Sequence, residues 1–347
     1  MADPLVVHAS YPDLAKLVDV SRLTAIDPRI EMVLTSYVEN TELRTAKRLQ
    51  PGSPDLAAMA PPLDDTYIDA MARAEVLFCL DAPLDLPALG PHLRWVQAVG
   101  SGVGQFAASG LDRGNITLTN AAGVGAPSIA EFVVGVIVAA WKDFPGIARL
   151  QREHTWKSHY GRLIMGSTVG IVGLGAIGAA VAQRIKAFGV DVLAIRRSFE
   201  PGMTAPNVDE LFGPASLHDM LARCDTVVLA AAGTAETENL IGEAEFAAMK
   251  RGAVFVNVAR GTMVDEDALV AALRSGHLRA AAIDVARAEP LPSSSPLWDV
   301  ENLMISPHSS PSQDRYFEMV FDLFLDNLRR YVAGEPLRNV IDQSKGY

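Results

Sequence analysis

The stretch TVGIVGLGAIGAAVAQRIKAFGVDV, residues 168–192, decides the fold. Gly173, Gly175 and Gly178 form the pattern GxGxxG, which is weak by itself because glycines recur by chance. Here the pattern follows a β-type run and opens a segment of helical character, so the glycines mark a strand, a tight turn and a helix. In that setting Gly173 permits the turn, Gly175 lets a ligand approach the backbone, and Gly178 allows the helix to pack on the strand.

The helix after this turn begins at Ala176 and Ile177. Its N-terminus offers unpaired N–H groups and the positive end of the helix dipole, which together attract anions. We therefore predict that Gly173, Gly175, Ala176, Ile177 and Gly178 bind the pyrophosphate of a dinucleotide. The alternative is a glycine-rich turn that binds no ligand.

β-type runs and helical segments alternate on both sides of the glycine turn, which predicts parallel strands with crossover helices. Five β-type runs precede it: PLVVHAS, IEMVLTSY, EVLFCLD, RWVQAVG and ITLTN. Six more begin with it: TVGIVG, DVLAI, CDTVVLAA, AVFVNVA, RAAAIDV and NLMISPH. The sequence predicts an α/β protein with two doubly wound parallel-sheet domains: a Rossmann dinucleotide domain and a flavodoxin-like substrate domain, with a cleft between them.

The length of 347 residues suits two domains of ordinary size. We place the first domain crossing before SIAEFVVGVIVAAWKDF, where Ser128 and Glu131 have the spacing of a capping box. From Ser312 onward an amphipathic helix, YFEMVFDLFLDNLRRYVAG, is expected to carry the chain back onto the first domain. We therefore predict a substrate domain that consists of residues 1–120 and 312–347, and a dinucleotide-binding domain that consists of residues 121–311.

Composition excludes several classes of partner. The net charge of -11, from 30 Lys+Arg against 41 Asp+Glu, repels nucleic acid and anionic membranes. The longest apolar run, Phe132 to Trp141, is half of the roughly 20 residues that a membrane span needs. No secretory signal is visible, and Cys79 and Cys224 indicate neither a disulfide framework nor a metal cluster, so we expect a cytoplasmic protein.

The end of the strand DVLAI is the position that discriminates between nicotinamide cofactors. A carboxylate there would bind the ribose 2′-hydroxyl of NAD(H). This chain has Arg196, Arg197 and Ser198 instead, and two guanidinium groups suit a 2′-phosphate. We predict that NADP(H) is preferred and that NAD(H) is possible, the alternative being two solvated surface arginines.

Three segments at predicted strand ends carry groups suited to carbonyl reduction: NVARG with Arg260, ARAEP with Glu289, and SPHSS with His308. Reduction of a 2-oxo acid needs an acid that protonates the carbonyl oxygen and a cation that holds the carboxylate. His308 and Arg260 can supply these, and Glu289 would orient the imidazole. Taken singly, Arg260 has the alternative of a surface ion pair and Glu289 that of a solvated loop acid. The other six histidines lack comparable neighbours, and no metal site is predicted.

From about Arg94 onward the chain resembles the D-isomer-specific 2-hydroxyacid dehydrogenase family. The matching stretches, in the family's order, are TVGIVGLGAIGAAVAQRIKAFGVDV, VNVARGTMVDEDALVAALRSG, AAIDVARAEPLPSSSPLW and NLMISPH. The resemblance implies that Arg260 binds substrate, that Glu289 tunes the histidine and that His308 is the general acid/base.

The resemblance also implies contacts outside these three side chains. Asp284 matches a position near the nicotinamide amide, and RWVQAVGSGVG resembles the family's substrate loop. Consecutive amides in such a glycine-rich turn form an anion-binding concavity, so the substrate carboxylate is expected at the backbone of Ser101, Gly102 and Val103. Cofactor contacts are implied for Ala232, Val258 and Ala259. The chain departs from the family where Ala232 replaces a usual proline and where HSSPSQDRY lacks the glycine that usually follows the histidine.

We therefore expect an enzyme that reduces a small 2-oxo acid such as glyoxylate or hydroxypyruvate to the D-2-hydroxyacid with NADPH. Two alternatives stay open: a cofactor-sensing regulatory protein of the same fold, and a dehydrogenase acting on formate or phosphite. The resemblance further implies a homodimer through the dinucleotide domains, with the apolar helix Ser128 to Trp141 as a contributor.

Overall fold

The chain folds as two compact units, each with its own parallel sheet. The computed structural model describes residues 3–312 and 314–342. One unit combines residues 1–124 with residues 313–347, as far as these are described, and is called the discontinuous unit. The other, called the central unit, spans Gly125–Ser312. The predicted crossings, after residue 120 and before residue 312, lie close to these boundaries.

The discontinuous unit is built on the five strands predicted from the β-type runs. They are β1 (Leu5–Ser10), β2 (Ile30–Thr35), β3 (Val76–Cys79), β4 (Trp95–Ala98) and β5 (Thr117–Thr119). Every neighbouring pair is parallel, and the order is β2-β1-β3-β4-β5. This is the flavodoxin-like order, in which ligands bind at the carboxyl ends of the strands where the order reverses, between β1 and β3.

Side-chain caps fix the starts of the longer helices between these strands. Asn40 Oδ1 accepts a hydrogen bond from the N–H of Leu43 at 2.8 Å, and Asp64 Oδ1 accepts one from Tyr67 at 2.7 Å. The helices are α1 (Leu14–Leu17), α2 (Thr41–Leu49), α3 (Leu56–Met59), α4 (Asp65–Arg73) and α5 (Leu86–Leu89).

Ion pairs and a neutral histidine lie within this unit. The side chains of Lys47 and Glu39 are both 0% exposed and pair at 2.8 Å, while Asp81, which follows β3, accepts two hydrogen bonds from Arg44. Burial lowers the pKa of the His8 imidazole to about 4, so this side chain is neutral at neutral pH. His8 therefore belongs to the interior of the unit.

The central unit has a seven-stranded sheet, again with only parallel neighbours. Its strands are β6 (Thr168–Val172), β7 (Asp191–Ile195), β8 (Glu210–Phe212), β9 (Thr226–Leu229), β10 (Ala253–Asn257), β11 (Leu278–Ile283) and β12 (Leu303–Ile305). The order β12-β11-β10-β9-β6-β7-β8 is that of a Rossmann fold with one further strand. The order reverses between β6 and β9, so the ligand crevice is expected at their carboxyl ends.

The prediction of six strands in this unit was one too few. β8 was missed because it has three residues, none of them fully buried, and therefore no hydrophobic run that marks a strand. It pairs with β7 at the edge of the sheet, with Leu193 opposite Glu210 and Ile195 opposite Phe212.

Helices cover both faces of this sheet. Successive side chains of a strand point to opposite faces, so they enter two separate hydrophobic cores. Along β9, Val227 and Leu229 belong to one core and Val228 to the other. The helices are α6 (Ala126–Lys142), α7 (Phe144–Arg152), α8 (Ala176–Ile185), α9 (Leu217–Leu221), α10 (Glu243–Ala248) and α11 (Glu266–Arg274).

The predicted capping box before α6 is wrong. The helix begins at Ala126, with Pro127 in its first turn, where the fixed φ of proline favours helix. Ser128 therefore lies inside the helix, and its hydroxyl donates to the carbonyl of Gly125 at 3.1 Å. Among the described residues, no helix has both the length and the apolarity that crossing a bilayer requires.

The last helix, α12 (Tyr316–Ala333), belongs to the discontinuous unit. Phe324 packs on Phe78 of β3 and on Trp95 of β4, with ring centroids 4.9 and 5.3 Å apart. Gly334 ends the helix at φ 69°, a left-handed conformation that glycine adopts without strain. The amphipathic face predicted from the sequence is therefore the face that packs on this sheet.

Candidate active site

The glycine turn after β6 lies at the point where the strand order reverses. Gly173 has φ 102°, and a Cβ atom there would overlap the backbone of Ala231, which follows β9. The backbones after β6 and β9 thus touch at a position where only glycine fits. Ala232, predicted to contact the cofactor, is the next residue of that loop and is exposed.

The other two glycines have separate roles. A Cβ atom at Gly178 would overlap the carbonyl oxygen of Gly173 and lie 3.0 Å from Ile171, so this glycine lets α8 pack on β6. Gly175 has no atom within 4 Å of a Cβ placed there, and no side chain caps the helix that it precedes. The residues therefore fit a dinucleotide: the backbone is open at Gly175 and the N-terminus of α8 is available to an anion.

The predicted cofactor residues fall into two groups by exposure. Arg196, Arg197 and Ser198 are exposed at the carboxyl end of β7, where the N–H of Arg196 bonds to β8 through the Phe212 carbonyl at 3.0 Å. The side chains of Val258 and Ala259 are buried, one in each core of the sheet. Contacts of all these residues with a cofactor stay predictions.

Arg260 lies in the turn after β10 and is exposed. Asn257, the last residue of β10, is 1% exposed; its Oδ1 accepts the N–H of Ala259 at 2.9 Å and its Nδ2 donates to the Arg260 carbonyl at 3.2 Å. The aliphatic stem of Arg260 lies against Gly233, where a Cβ atom would come within 2.7 Å of Cγ. The backbone and the stem of Arg260 are therefore both fixed by neighbouring strand ends.

The loop that carries Glu289 is packed against the Arg260 turn. A Cβ atom at Gly261 would overlap the carbonyl group of Ala286, so the two backbones are in contact. Arg287 also holds this loop in place. Its backbone N–H donates to Glu266 Oε1 at 2.7 Å. Its guanidinium donates to the carbonyl oxygens of Val264 and Thr262, both at 3.2 Å, and to Asn239 Oδ1.

Glu289 and His308 form a hydrogen-bonded pair. Oε2 of Glu289 lies 2.8 Å from Nδ1 of His308, and Oε1 accepts the N–H of Ala286 at 3.1 Å. The two side chains are 41% and 51% exposed. Because Nδ1 faces the carboxylate, Nε2 is the ring nitrogen that can contact a substrate.

The structure thus brings together two of the three predicted catalytic side chains. Within residues 3–312 and 314–342, Arg260 makes no hydrogen bond or ion pair with Glu289 or His308. It is linked to them through Gly261 and the loop that begins at Ala286. All three residues belong to the central unit.

The remaining predicted residues lie in two places. Asp284, at the end of β11, is 3% exposed and accepts hydrogen bonds from Ser306 and Ser310. Ser101 and Gly102 are exposed and Val103 is half-buried, in the loop after β4 of the discontinuous unit. Their roles toward cofactor and substrate stay predictions.

Sequence reasoning missed Asn257, Arg287, Ser306 and Ser310, which hold the loops of the site. For Asn257 a signal was present, because a polar residue closing an apolar strand must satisfy its hydrogen bonds inside the protein. Arg287 bonds to segments 21–48 residues away, which no local pattern indicates.

Comparison with known proteins gives the family. The family model for the NAD binding domain of D-isomer specific 2-hydroxyacid dehydrogenases matches residues 134–310. D-3-phosphoglycerate dehydrogenase of Mycobacterium bovis is 34% identical over 287 residues, 81% of this chain and 54% of that protein. Glyoxylate reductase of Korarchaeum cryptofilum is 32% identical over 297 residues, 82% of this chain and 87% of that protein.

The chain belongs to the D-isomer specific 2-hydroxyacid dehydrogenase family. The resemblance stated from the sequence motifs is therefore confirmed. A solved structure of this 2-hydroxyacid dehydrogenase family, from Xanthobacter autotrophicus Py2 in complex with NADPH and MES, is 29% identical with a TM-score of 0.75 and covers 100% of both chains. The chain spans about half the length of the mycobacterial phosphoglycerate dehydrogenases that it matches.

Two glycines of the turn after β6 should respond differently to alanine. Gly178→Ala is expected to lower the free energy of unfolding by about 1–3 kcal/mol, because the new methyl group overlaps the Gly173 carbonyl. Gly175→Ala should leave the free energy of unfolding unchanged and weaken NADPH binding, because its methyl group enters only the space open to a ligand. Urea unfolding and calorimetric titration with NADPH measure the two effects. Unchanged NADPH affinity in Gly175→Ala would contradict the assignment.

Proposed function

We propose that the protein reduces a small 2-oxo acid, such as glyoxylate or hydroxypyruvate, to the D-2-hydroxyacid with NADPH. The observation that carries the proposal is the 2.8 Å contact between Glu289 and Nδ1 of His308, which leaves Nε2 available to a substrate. Membership of the 2-hydroxyacid dehydrogenase family supports it, as does the relative named glyoxylate reductase.

His308 supplies the proton. An imidazolium donates from Nε2 to the carbonyl oxygen while negative charge develops there, and Glu289 stabilises the positive charge on the ring through Nδ1. In the reverse direction the neutral imidazole accepts the proton of the hydroxyl group. The carboxylate also fixes the ring orientation, so the same nitrogen serves both directions.

Arg260 binds the carboxylate of the substrate and polarises its carbonyl group. A guanidinium presents two parallel N–H donors, which suit a planar carboxylate. Its stem is held over Gly233 and its backbone by Asn257, so little freedom is lost on binding. The nicotinamide ring, when bound, supplies the hydride for reduction.

Replacement of His308 by Gln should lower kcat for 2-oxo acid reduction by about 10²- to 10⁴-fold, because the general acid is lost. Arg260→Ala should raise KM and lower kcat together, since one group serves binding and polarisation. The measurement is NADPH oxidation with glyoxylate, hydroxypyruvate and other 2-oxo acids, and NADP⁺ reduction with 3-phosphoglycerate.

His92→Gln is the matched control, because His92 is exposed and lies in the discontinuous unit. Full activity of His308→Gln would overturn the proposal. Turnover of formate or phosphite by a protein that is inactive on every 2-oxo acid would also overturn it. Binding of NADPH without any turnover, which is expected of a cofactor-sensing regulator, would overturn it as well.

We also propose that NADPH is preferred over NADH. Arg196 and Arg197 are exposed at the carboxyl end of β7, the position at which a carboxylate would select the 2′-hydroxyl. A 2′-phosphate there would accept charge-assisted hydrogen bonds from either guanidinium. The NADPH complex of the Xanthobacter relative supports this preference.

The parent protein should show a higher kcat/KM with NADPH than with NADH. The double variant Arg196→Ala/Arg197→Ala should lose about 10- to 100-fold of that ratio, since hydrogen bonds to charged groups are worth about 1.5–3 kcal/mol. Arg251→Ala, at the amino end of β10, controls for loss of surface charge. Equal kcat/KM values of the parent protein with NADPH and NADH, or a higher value with NADH, would contradict the proposed preference.

A homodimer through the central unit is a further part of this proposal. Between Arg152 and Thr168 the chain has no helix or strand, and this segment presents Trp156, 104% exposed, and Tyr160, 87% exposed. Such large apolar side chains in water are typical of an interaction surface. Beside α6 and α7 lies a groove of about 800 Å³ lined by apolar side chains together with charged ones such as Arg279, and a second copy could cover both features.

Light scattering after size exclusion should give twice the 37.1 kDa of the chain for the parent protein. Trp156→Ala/Tyr160→Ala should shift the mass toward the monomer, because the apolar contact is removed. Trp298→Ala removes a half-exposed tryptophan from another loop and should leave the mass unchanged. A monomeric parent, or a double variant that keeps the dimer mass, would contradict the proposed interface.

A further inference from the structure

His308 has an unusual backbone conformation. Its φ of 52° lies in the left-handed region, which costs free energy for a residue with a Cβ atom. Such a conformation persists only where the surroundings fix it from several sides. The conformation decides where the imidazole points, because it sets the direction of the Cα–Cβ bond.

Asp284 makes the hydrogen bonds that fix this turn. Its carbonyl oxygen accepts the N–H of His308 at 2.8 Å. Its carboxylate lies over the segment on both sides of the histidine and accepts four more hydrogen bonds. Oδ1 accepts Ser306 Oγ at 2.6 Å, Ser309 N at 2.8 Å and Ser310 N at 2.9 Å, and Oδ2 accepts Ser310 Oγ at 2.6 Å.

The position of Asp284 is itself rigid. It directly follows β11, and its N–H bonds to the carbonyl of Asn257 at the end of β10 at 2.9 Å. The residue is 3% exposed, and among the described residues no lysine or arginine forms an ion pair with it. The buried charge is therefore stabilised by these serine donors, and the serine segment is held by the charge.

The serine hydroxyls bond directly to the Asp284 carboxylate. Ser310 takes part in the turn with both its N–H and its hydroxyl, and Ser306 holds the other side of the histidine. A glycine after the histidine would supply a backbone N–H but no hydroxyl. The two hydroxyls therefore add two hydrogen bonds to Asp284 that backbone N–H groups alone would not provide.

We propose that Asp284 is a positioning residue for His308: with the hydroxyls of Ser306 and Ser310 it fixes the left-handed turn that aims the imidazole at Glu289. The effect on catalysis rests on the proposed function, whereas the effect on the imidazole does not. A role of the carboxylate toward the cofactor predicts a different outcome, because it would change NADPH affinity.

The decisive variant is Ser306→Ala/Ser310→Ala, which removes two donors without changing any charge or the carboxylate itself. The NMR signal of the proton between Nδ1 of His308 and Glu289, recorded without substrate or cofactor, is expected to weaken or shift, because the imidazole is no longer held against the carboxylate. Steady-state kinetics should show kcat for the 2-oxo acid reduced by about tenfold or more. The Kd for NADPH should stay at the parent value.

Ser312→Ala is the matched control, since it changes an exposed serine in the same segment outside this network. Asp284→Asn is the second variant, measured in the same way if the double variant does not fold. An unchanged signal of the Nδ1 proton in the folded variant would overturn the proposal, as would weaker NADPH binding with kcat and that signal unchanged. A changed signal of the Nδ1 proton in a protein that reduces no 2-oxo acid would support the positioning role and refute the proposed function.

Discussion

The hydrogen bond between Nδ1 of His308 and Glu289, 2.8 Å long, is the interaction on which the chemistry of the central unit depends. It assigns one ring nitrogen to the protein and leaves the other for a substrate. It also places a negative charge beside an imidazole that would donate a proton in the proposed reduction. Both side chains are about half exposed, so the loops that carry them must supply the rigidity that burial does not.

That rigidity comes from backbone packing at the carboxyl ends of parallel strands. Gly261 allows the turn after β10 to touch the backbone at Ala286, and Gly173 allows the turn after β6 to touch the loop after β9. A side chain at either glycine would separate two neighbouring strand ends. Since parallel strands deliver their carboxyl ends to one edge of the sheet, residues distant in sequence reach the same crevice. Arg260 is thereby linked to the loop of Glu289 without a direct bond.

The sequence predicts the features that local patterns determine. The glycine turn, both parallel sheets and the amphipathic face of α12 follow from glycine spacing and hydrophobic periodicity. β8 could not be predicted because a short edge strand lacks such a period, and the start of α6 depends on Pro127 rather than on Ser128. The hydrogen bonds of Asp284 join residues 22–26 apart at the ends of two strands, so they appear only once the fold brings those ends together. The pairing of Glu289 with His308 was predicted from the chemistry of carbonyl reduction, and in the structure the two side chains form a hydrogen bond.

A crystal structure of the protein with NADPH and oxamate, an unreactive analogue of a 2-oxo acid, tests the central claim most directly. Nε2 of His308 should lie within hydrogen-bond distance, about 2.6–3.2 Å, of the oxamate carbonyl oxygen. Nδ1 should keep its contact with Glu289, and the guanidinium of Arg260 should hold the oxamate carboxylate. An imidazole turned away from oxamate, or separated from Glu289, would contradict the assignment of His308 as the acid.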